Sequence, residues 1–285
     1  MPTVHLRRPA MGSEFAMWLV GDDAEHLEAV GHAAWEEIAR VERLLSRFDP
    51  TAEIARVNRL AAAGPVLVDY ELFAVLEDCG WWWGDTGGFF DVCAGSGVRW
   101  GEAVRFDASA RTVEFLDDRA QIDLGGYGKG YAIDAAGRIF ERFGVSQAFM
   151  HGGTSSVFAW GVREDGLPWP VGIRDLLADE ERELQQLSLT DCGLSTSAVR
   201  HREGEASDIL DASTGQPLTG QAACVVMAPT ALEAEVLSTA LLAMGKSRAR
   251  KYLEGRSPLH SLRVLWLEPT DGRTTLDEIY PNESP

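Results

Sequence analysis

The composition of this chain excludes several classes of partner before any motif is considered. Its 285 residues are 45% hydrophobic and 25% charged, which is typical of a globular protein with a full core. A formal net charge of −18 argues against nucleic acid or an anionic membrane as a partner, because both are polyanions. An anionic ligand must therefore be bound by local features, such as a helix N-terminus, a lysine or a divalent metal ion.

The cysteines and the N-terminal residues bear on the cellular compartment. The four cysteines, at positions 79, 93, 192 and 224, are scattered and form no Cys-x-x-Cys pair, which favours free thiols in a reducing compartment. The opening residues Met1–Pro9 lack the apolar segment of an export signal, and no later apolar run is long enough to span a bilayer. We therefore expect a cytoplasmic protein. Because no repeat or interdomain linker is visible, we also expect a single unit over residues 1–285.

Strand and helix patterns alternate along the first third of the chain. Residues 14–20 predict a strand, and apolar residues recurring in threes and fours from Leu27 to Phe48 predict a long amphipathic helix. Shorter helices are expected over 53–59 and 68–83, and the second ends in the tryptophans Trp81–Trp83. Three consecutive tryptophans cannot all face one core, so one of them is expected to line a groove or cover a loop.

The middle of the chain carries a glycine-rich turn. Short strands are expected over 113–116 and 122–124, followed by a helix from Tyr131 that Gly144 ends. The stretch Ile122–Asp134, which contains four glycines and a lysine, joins the second strand to that helix. A glycine turn that opens a helix directs backbone N–H groups and the positive helix end at one place, which suits a phosphate.

Two charged side chains strengthen this interpretation of the turn. Lys129 adds a positive charge, and Asp123 adds a carboxylate for a metal ion or a ligand hydroxyl. The turn is not a P-loop, because Gly130 stands where serine or threonine should follow the lysine, and its glycine spacing is not that of a dinucleotide-binding fingerprint. The alternative is a tight structural turn with a surface lysine.

The second half of the chain predicts mostly strands and one clear helix. Residues 148–161 indicate a strand, a glycine turn and a second strand, and residues 231–244 indicate a helix. Segments 194–201 and 208–217 are polar and are expected to be rich in turns. Further strands are expected over 169–174, 187–189, 223–228 and, as the last element of the chain, 262–267. The whole pattern predicts an α+β fold in which mixed or antiparallel sheets pack against helices.

The residue types and their spacing argue against a zinc site and against a serine hydrolase. The six histidines show no zinc-ligand spacing, and no serine lies in a Gly-x-Ser-x-Gly elbow. Oxygen ligands beside a glycine turn suit Mg²⁺ held partly by substrate phosphates, and Glu235 and Thr239 share one helix face because they are four residues apart. The candidate oxygen ligands are Asp91, Asp123, Asp208, Asp211, Glu235 and Thr239.

Several short segments carry a family resemblance when they are taken together. They are Met11-Gly-Ser-Glu-Phe15, Leu45-Ser-Arg-Phe-Asp49, Glu53-Ile-Ala-Arg-Val-Asn58, Gly87-Gly-Phe-Phe-Asp91, Ile122–Asp134, Leu194-Ser-Thr-Ser197, Asp211-Ala-Ser-Thr-Gly215 and Ala234-Glu-Val-Leu-Ser-Thr-Ala240. In this order they resemble the ApbE family, the FAD:protein FMN transferases. That family uses Mg²⁺ to cleave the FAD pyrophosphate and attaches FMN through a phosphoester to a threonine of an acceptor protein.

The resemblance implies an ApbE-like fold and a set of site residues. The FAD contacts that it implies are Met11, Phe48, Phe89, Phe90, Asp91, Asp123 and Lys129. The Mg²⁺ ligands that it implies are the Gly126 carbonyl, the Glu235 carboxylate and the Thr239 hydroxyl. Lys129 and Asp208 occupy the positions that it connects with catalysis.

The sequence departs from the family pattern at several of these positions. Asp208 stands in place of the family histidine, and Glu235 stands in place of the metal-binding aspartate. Further departures are Ala52, Thr154, Ala198, Ala212 and Ser213. Two alternatives therefore stand beside the transferase. One is a catalytically weakened FAD-binding protein, and the other is a FAD pyrophosphatase that releases FMN and AMP.

Overall fold

The computed structural model describes residues 1–178, 182–200, 207, 209–212, 214–256 and 262–280. Within these ranges the α-helices are α1 Ala24–Leu45, α2 Glu53–Leu60, α3 Tyr70–Asp85, α4 Trp100–Ala103, α5 Gly128–Arg142, α6 Ala231–Met244 and α7 Lys246–Glu254. The β-strands there are β1 Thr3–Ala10, β2 Ser13–Val20, β3 Val66–Leu67, β4 Val104–Asp107, β5 Thr112–Phe115, β6 Gln147–Gly152, β7 Ser156–Trp160, β8 Trp169–Arg174, β9 Glu183–Leu189, β10 Cys192–Val199, β11 Ala222–Ala228, β12 Arg263–Thr270 and β13 Arg273–Tyr280.

The described strands form antiparallel sheets. The main sheet has the order β1-β2-β6-β7-β10-β11-β12-β13, a smaller sheet has the order β3-β5-β4, and β8 pairs with β9 in a hairpin. Each pairing between the described strands is antiparallel. Helices α1, α5 and α6 pack against the main sheet. The predicted α+β fold with sheets packed against helices is therefore confirmed.

The main sheet is buried on both faces because its central strands alternate between two cores. In β11, Cys224 and Val226 belong to the larger core with the helices, whereas Val225 belongs to a smaller core with the β8–β9 hairpin. Successive side chains of a strand point to opposite faces, so a strand covered on both sides must be apolar throughout. This explains the continuous apolar run in β11. Helices α5 and α6 contact each other and lie against the same face of the sheet.

The long helices agree with their predicted patterns. Helix α1 begins where the Asp23 side chain accepts hydrogen bonds from the backbone N–H groups of Glu25 and His26. Its buried stripe runs from Leu27 to Leu45, and the helix ends before Phe48. Helix α6 has the predicted bounds, 231–244.

The strand predicted over 122–124 is wrong. The backbone of Ile122 pairs with a side chain instead, because the Asn58 amide donates to the Ile122 carbonyl at 2.9 Å and accepts from the Ile122 N–H at 2.8 Å. The Asp123 N–H donates to the Val92 carbonyl at 2.8 Å. These bonds satisfy the buried backbone groups that a neighbouring strand would otherwise satisfy.

The turn-rich segment predicted over 194–201 is also wrong for most of its length. Residues Cys192–Val199 form β10, which lies between β7 and β11 in the main sheet. In the described part of 208–217, Leu210 and Pro217 form an isolated β-bridge. Two edge strands, β1 and β13, were not predicted, and β13 follows the strand that was expected to close the chain.

No described helix combines the length and the hydrophobicity that a membrane crossing requires.

Candidate functional site

The loop from Ile122 to Tyr127 and the start of α5 form the floor of the candidate site. The Asp123 carboxylate accepts a hydrogen bond from the Gly125 N–H at 3.0 Å, which closes a local turn. The Gly128 N–H then donates to the Leu124 carbonyl at 2.8 Å and begins the helix. Helix α5 therefore starts at Gly128, one turn before the predicted Tyr131, and its N-terminus opens directly onto the glycine loop.

Helices α5 and α6 cap each other at this point. Glu235 of α6 is only 3% exposed and accepts a short hydrogen bond from the Gly130 N–H in the first turn of α5. In return, the Asp134 carboxylate of α5 accepts from the Ala231 and Leu232 N–H groups of α6, at 2.9 and 3.0 Å. A carboxylate at a helix N-terminus is stabilised by the free N–H groups and the helix dipole. Each helix therefore contributes a carboxylate that binds the N-terminus of the other helix.

Gly130 makes this close approach possible. A Cβ at this position would lie 2.6 Å from the Ala231 carbonyl oxygen and 2.6 Å from the Leu232 Cα. Both of these atoms belong to the backbone and cannot turn aside as a flexible side chain would. The glycine is thus required by the contact between the helices.

Lys129 lies against the buried carboxylate. Its Nζ is 2.7 Å from Glu235 Oε1 and 3.4 Å from the Gly125 carbonyl oxygen. The Lys129 side chain is 23% exposed, whereas that of Glu235 is 4% exposed. The sequence indicated that Lys129 would contact a phosphate. In the structure its ammonium group lies against the Glu235 carboxylate and balances the negative charge.

The hydroxyl of Thr239 belongs to a small hydroxyl network on α6 and β10. Thr239 Oγ1 lies 3.2 Å from Ser197 Oγ, which lies 2.9 Å from Ser238 Oγ. Ser238 also donates to Ser195 Oγ at 3.2 Å, and Ser195 and Ser238 are both buried. A Cβ at Gly126 would lie 3.5 Å from Thr239 Oγ1, so the loop backbone is adjacent to this hydroxyl. Backbone, hydroxyl and carboxylate oxygens are the donors that suit Mg²⁺ or Mn²⁺.

Arg47 and Phe48 form one rim of the site. The Phe48 ring is 81% exposed, and the Arg47 guanidinium lies 4.6 Å from its centroid. Arg47 Nε also lies 3.0 Å from Asp123 Oδ2, so the arginine joins the rim to the glycine loop. An exposed aromatic ring beside a cation offers a stacking surface for a flat heterocycle with a phosphate tail.

Met11 borders the site from the β1–β2 hairpin. It adopts a positive φ of 51° at the tip of a two-residue loop, and its N–H donates to Glu42 Oε1 at 2.8 Å. A non-glycine residue in this conformation stores strain, which is often found at functional sites. The Met11 Cε lies 2.9 Å from the position of a Cβ on Gly128, so its side chain covers the first residue of α5.

Phe89, Phe90 and Asp91 lie on the loop after α3. Phe90 is buried, and its Cε2 lies 3.6 Å from the position of a Cβ on Gly126, whereas Phe89 is half-buried under the guanidinium of Arg248. The Asp91 carboxylate accepts from the Trp83 indole at 3.0 Å and from the Cys93 N–H at 2.8 Å. Burial raises the pKa of Asp91, and these hydrogen bonds oppose the shift.

The tryptophan run behaves as the sequence predicted. Trp82 is buried, Trp81 is 54% exposed, and Trp83 bonds to the loop that carries Asp91. One tryptophan of the three therefore holds a loop instead of filling the core.

The structure brings together most of the side chains that the sequence assigned to the site. Phe90, Asp123, Lys129, Glu235 and Thr239 lie around the loop 122–127, and Met11 reaches the start of α5. Asp208 lies outside the described residues. Sequence reasoning did not assign roles to Arg47, Asp134 and Ser197. All three lie inside the segments that carry the family resemblance, and that was the signal that could have identified them.

The chain is similar in sequence and in structure to proteins of one family. The sequence model of the ApbE family matches residues 11–263. The FAD:protein FMN transferase of Klebsiella pneumoniae is 27% identical and covers 85% of this chain and 78% of its own length. The FAD:protein FMN transferase of Treponema pallidum is 26% identical, over 76% of this chain and 73% of its own length. The flavin transferase ApbE from Vibrio cholerae superposes with a TM-score of 0.85 at 20% identity, over 97% of both chains. The ApbE protein from Thermotoga maritima gives a TM-score of 0.82 at 22% identity, over 93% of this chain and 94% of its own.

Proposed function

Because the chain belongs to the ApbE family, we propose that it is a Mg²⁺-dependent FAD:protein FMN transferase. The observation that carries the proposal is the cluster of Lys129, Glu235 and Thr239 at the glycine loop that opens α5. A helix N-terminus, an ammonium group and hard oxygen donors are the features that a diphosphate and its metal ion require. The curated relatives named above carry the same activity in their names.

The proposed reaction exchanges a phosphoanhydride bond of FAD for a phosphoester bond to the acceptor. The threonine hydroxyl oxygen of the acceptor forms a bond to the FMN phosphorus of FAD. The bond from that phosphorus to the bridging diphosphate oxygen breaks, and AMP leaves with the bridging oxygen. The hydroxyl proton passes to a base, for which we propose Asp208, outside the described residues.

The residues around the loop have separate roles in this proposal. The exposed Phe48 ring is the stacking surface for a flat ring of FAD, and Arg47 beside it attracts the anionic tail. The positive end of the α5 dipole, together with Lys129, holds the diphosphate. Met11 covers the first turn of α5 and limits the access of water to it.

The donor set fits a divalent metal ion. Glu235 supplies a buried carboxylate, Thr239 supplies a hydroxyl next to the Gly126 backbone, and the metal ligands that we propose are these two side chains and the Gly126 carbonyl. In the structure Lys129 is the positive partner that this buried carboxylate requires, since an isolated buried charge costs on the order of several kcal/mol. When it is bound, Mg²⁺ would neutralise charge that develops on the phosphate oxygens.

The test uses FAD, Mg²⁺ and a protein extract of the organism that produces this protein. Purified protein is incubated with all three, AMP is quantified by chromatography, and a denaturing gel is imaged for flavin fluorescence. We expect AMP to form and one or more protein bands to retain flavin after denaturation. The isosteric variants Glu235→Gln and Thr239→Val should lose both signals, while the exposed control Ser188→Ala should keep them.

A second candidate follows from Asp208 at the position of the family histidine. A positioned base contributes about 10²–10⁴-fold, and an aspartate of ordinary pKa, about 3.9, is a weak base near neutral pH. A catalytically weakened FAD-binding protein would bind FAD but release almost no AMP, and Asp208→His would raise AMP release without changing FAD affinity. AMP release without any labelled protein would instead favour a pyrophosphatase. Undetectable FAD binding would contradict all three.

A further inference from the structure

The position of Lys129 carries a second inference, which rests on the proposed metal site. Its ammonium group lies 2.7 Å from Glu235 Oε1 and 3.4 Å from the Gly125 carbonyl. It thus contacts the carboxylate that we propose as a metal ligand, together with the carbonyl adjacent to that of Gly126, the proposed ligand from the loop. The Gly130 N–H is the other donor to Glu235.

Lys129 and a metal ion cannot both neutralise Glu235 at the same place. A dication bound to the Glu235 carboxylate would stand within a few ångströms of the ammonium group, and like charges at that distance repel strongly in a buried setting. The lysine can leave, because it is a point charge on a flexible four-carbon stem and is already 23% exposed. Glu235 cannot leave with it, because it is buried and bonded to the start of α5.

We propose that Lys129 is a tethered cation that holds Glu235 in the metal-free protein and is displaced toward the FAD diphosphate when the metal binds. The ammonium group moves by rotation of its own side chain, and no covalent bond changes. The metal takes over the neutralisation of the carboxylate, and the released charge becomes available to phosphate. Lys129 in this account sets the order in which the metal ion and the diphosphate are bound.

Two consequences distinguish this account from a static ion pair. In the absence of FAD, Lys129 competes with the metal and weakens its binding. With both ligands present, each strengthens the other, because a metal that releases Lys129 improves diphosphate binding, and thermodynamic linkage makes the effect mutual.

The competition is tested with Mn²⁺ alone, as a spectroscopic substitute for Mg²⁺ that also prefers oxygen ligands. Free Mn²⁺ is measured by electron paramagnetic resonance in wild type, Lys129→Met, Lys129→Arg and Glu235→Gln. Loss of a charge-assisted hydrogen bond corresponds to roughly tenfold to a hundredfold in an equilibrium constant. We expect Lys129→Met to bind Mn²⁺ about tenfold or more tightly than wild type. Lys129→Arg should bind it less tightly, because the guanidinium fork grips a carboxylate at two points.

The matched control is Lys251→Met on the exposed side of α7. It changes the net charge by the same amount, so Mn²⁺ binding that strengthens equally in both variants would contradict the proposal. If Lys129→Met is unstable because Glu235 loses its partner, the thermal midpoint provides the second measurement. Mn²⁺ should raise the midpoint of Lys129→Met by more than that of wild type.

The outcomes separate this inference from the proposed function. Equal Mn²⁺ affinity in wild type and Lys129→Met, together with loss of binding in Glu235→Gln, overturns the displacement of Lys129 and leaves the metal site standing. Mn²⁺ binding that Glu235→Gln does not change overturns the metal site itself. The coupling is measured by repeating the titration with saturating FAD. The gain in Mn²⁺ affinity from FAD should be larger in wild type than in Lys129→Met, and an equal gain in both contradicts the proposal.

Discussion

At the scale of single residues, the candidate site depends on pairs of side chains that lie far apart in the sequence. Gly130 and Glu235 are separated by 105 positions, and Ser197 and Thr239 by 42. The family resemblance assigned Glu235 and Thr239 to one site, but it gave Ser197 no role and did not show which side chains would bond to each other. The membership of the site therefore stays a prediction, while the Lys129–Glu235 pair is visible only in the structure. The reason is that spacing along the chain reveals neighbours on one helix face and not partners on another element.

Ser197 should position the Thr239 hydroxyl. The Ser197→Ala variant removes the 3.2 Å contact with Thr239 and leaves the strand pairing of β10 in place. A lost hydrogen bond is worth about 0.5–1.5 kcal/mol, so Mn²⁺ affinity should fall roughly twofold to tenfold. FAD binding without metal should be unchanged. Mn²⁺ titration and flavin fluorescence check both parts, and Ser188→Ala, at an exposed position of β9, is the control. A larger loss in metal-free FAD binding than in Mn²⁺ binding would count against this role.

At the scale of elements, the joint between α5 and α6 determines the shape of the site. Both helices were predicted from the period of their apolar residues, which is the most reliable signal in a sequence. Strand β10 was missed because its serines and threonine form a polar run, and their hydroxyl partners on α6 are distant in sequence. The edge strands β1 and β13 were missed because few of their side chains are buried, so their hydrophobic alternation is weak.

Gly130→Ala should force the two helices apart. The added Cβ would meet the backbone of Ala231 and Leu232 at 2.6 Å, and overpacking of this kind costs about 1–3 kcal/mol. The free energy of unfolding, measured with chemical denaturant, should fall by that amount. Gly84→Ala in α3 is the matched control, since a Cβ there has nothing within 4 Å. The control should be neutral or gain up to about 1 kcal/mol from its better helix propensity. If Gly130→Ala were as stable as wild type, the contact between α5 and α6 would be able to adjust to the added Cβ at little cost.

Asp134 should make the joint sensitive to pH. Burial raises the pKa of its carboxyl from 3.8 to about 6, against the opposing effect of the hydrogen bonds from Leu232 and Ala231. Between these two values the folded chain binds a proton that the unfolded chain has released, so the contribution of Asp134 to stability decreases as pH rises through this window. The decrease is on the order of 2–3 kcal/mol.

Asp134→Asn is the variant that checks this behaviour. Its side chain is neutral at every pH, so it lacks the decrease that wild type shows. The cost of the substitution, taken as the difference in unfolding free energy from wild type, should be larger at pH 4.5 than at pH 7.5. The exposed Asp22→Asn serves as the control for a lost surface charge. A cost that grows with rising pH would mean that the ionised carboxylate stabilises the joint.

At the scale of the whole molecule, the charge opposes the ligand that the proposed function requires. The net charge of −18 repels an anionic dinucleotide at long range, while Arg47 and Lys129 attract it only close to the site. An α+β fold with mixed or antiparallel sheets was predicted from the pattern of elements along the chain. The pairing of Arg47 with Asp123 and of Lys129 with Glu235 was not, because it depends on how the loops and helices meet.

The rate of FAD association should therefore rise with ionic strength. Salt at about 0.15 M shortens the Debye length to about 8 Å, which screens the distant acidic surface more than the contacts inside the site. Stopped-flow flavin fluorescence measures the rate constant between low and physiological salt, and uncharged riboflavin is the control ligand, with a rate that should not change. A rate that falls with salt would show that Arg47 and Lys129 dominate the approach.

The reciprocal capping of α5 and α6 also has a consequence for the newly synthesised chain. The start of α5 leaves the ribosome 105 residues before Glu235, which at about 5–20 residues per second is an interval of roughly 5–20 s. Throughout that interval the glycine loop lacks its acidic partner, and Lys129 has no carboxylate to hold. A nascent chain that stops short of α6 therefore has the partners of the loop in its N-terminal half, Arg47, Asn58 and Val92, but lacks Glu235. The site is acquired as a late event of biosynthesis, when the C-terminal half of the chain reaches the N-terminal half.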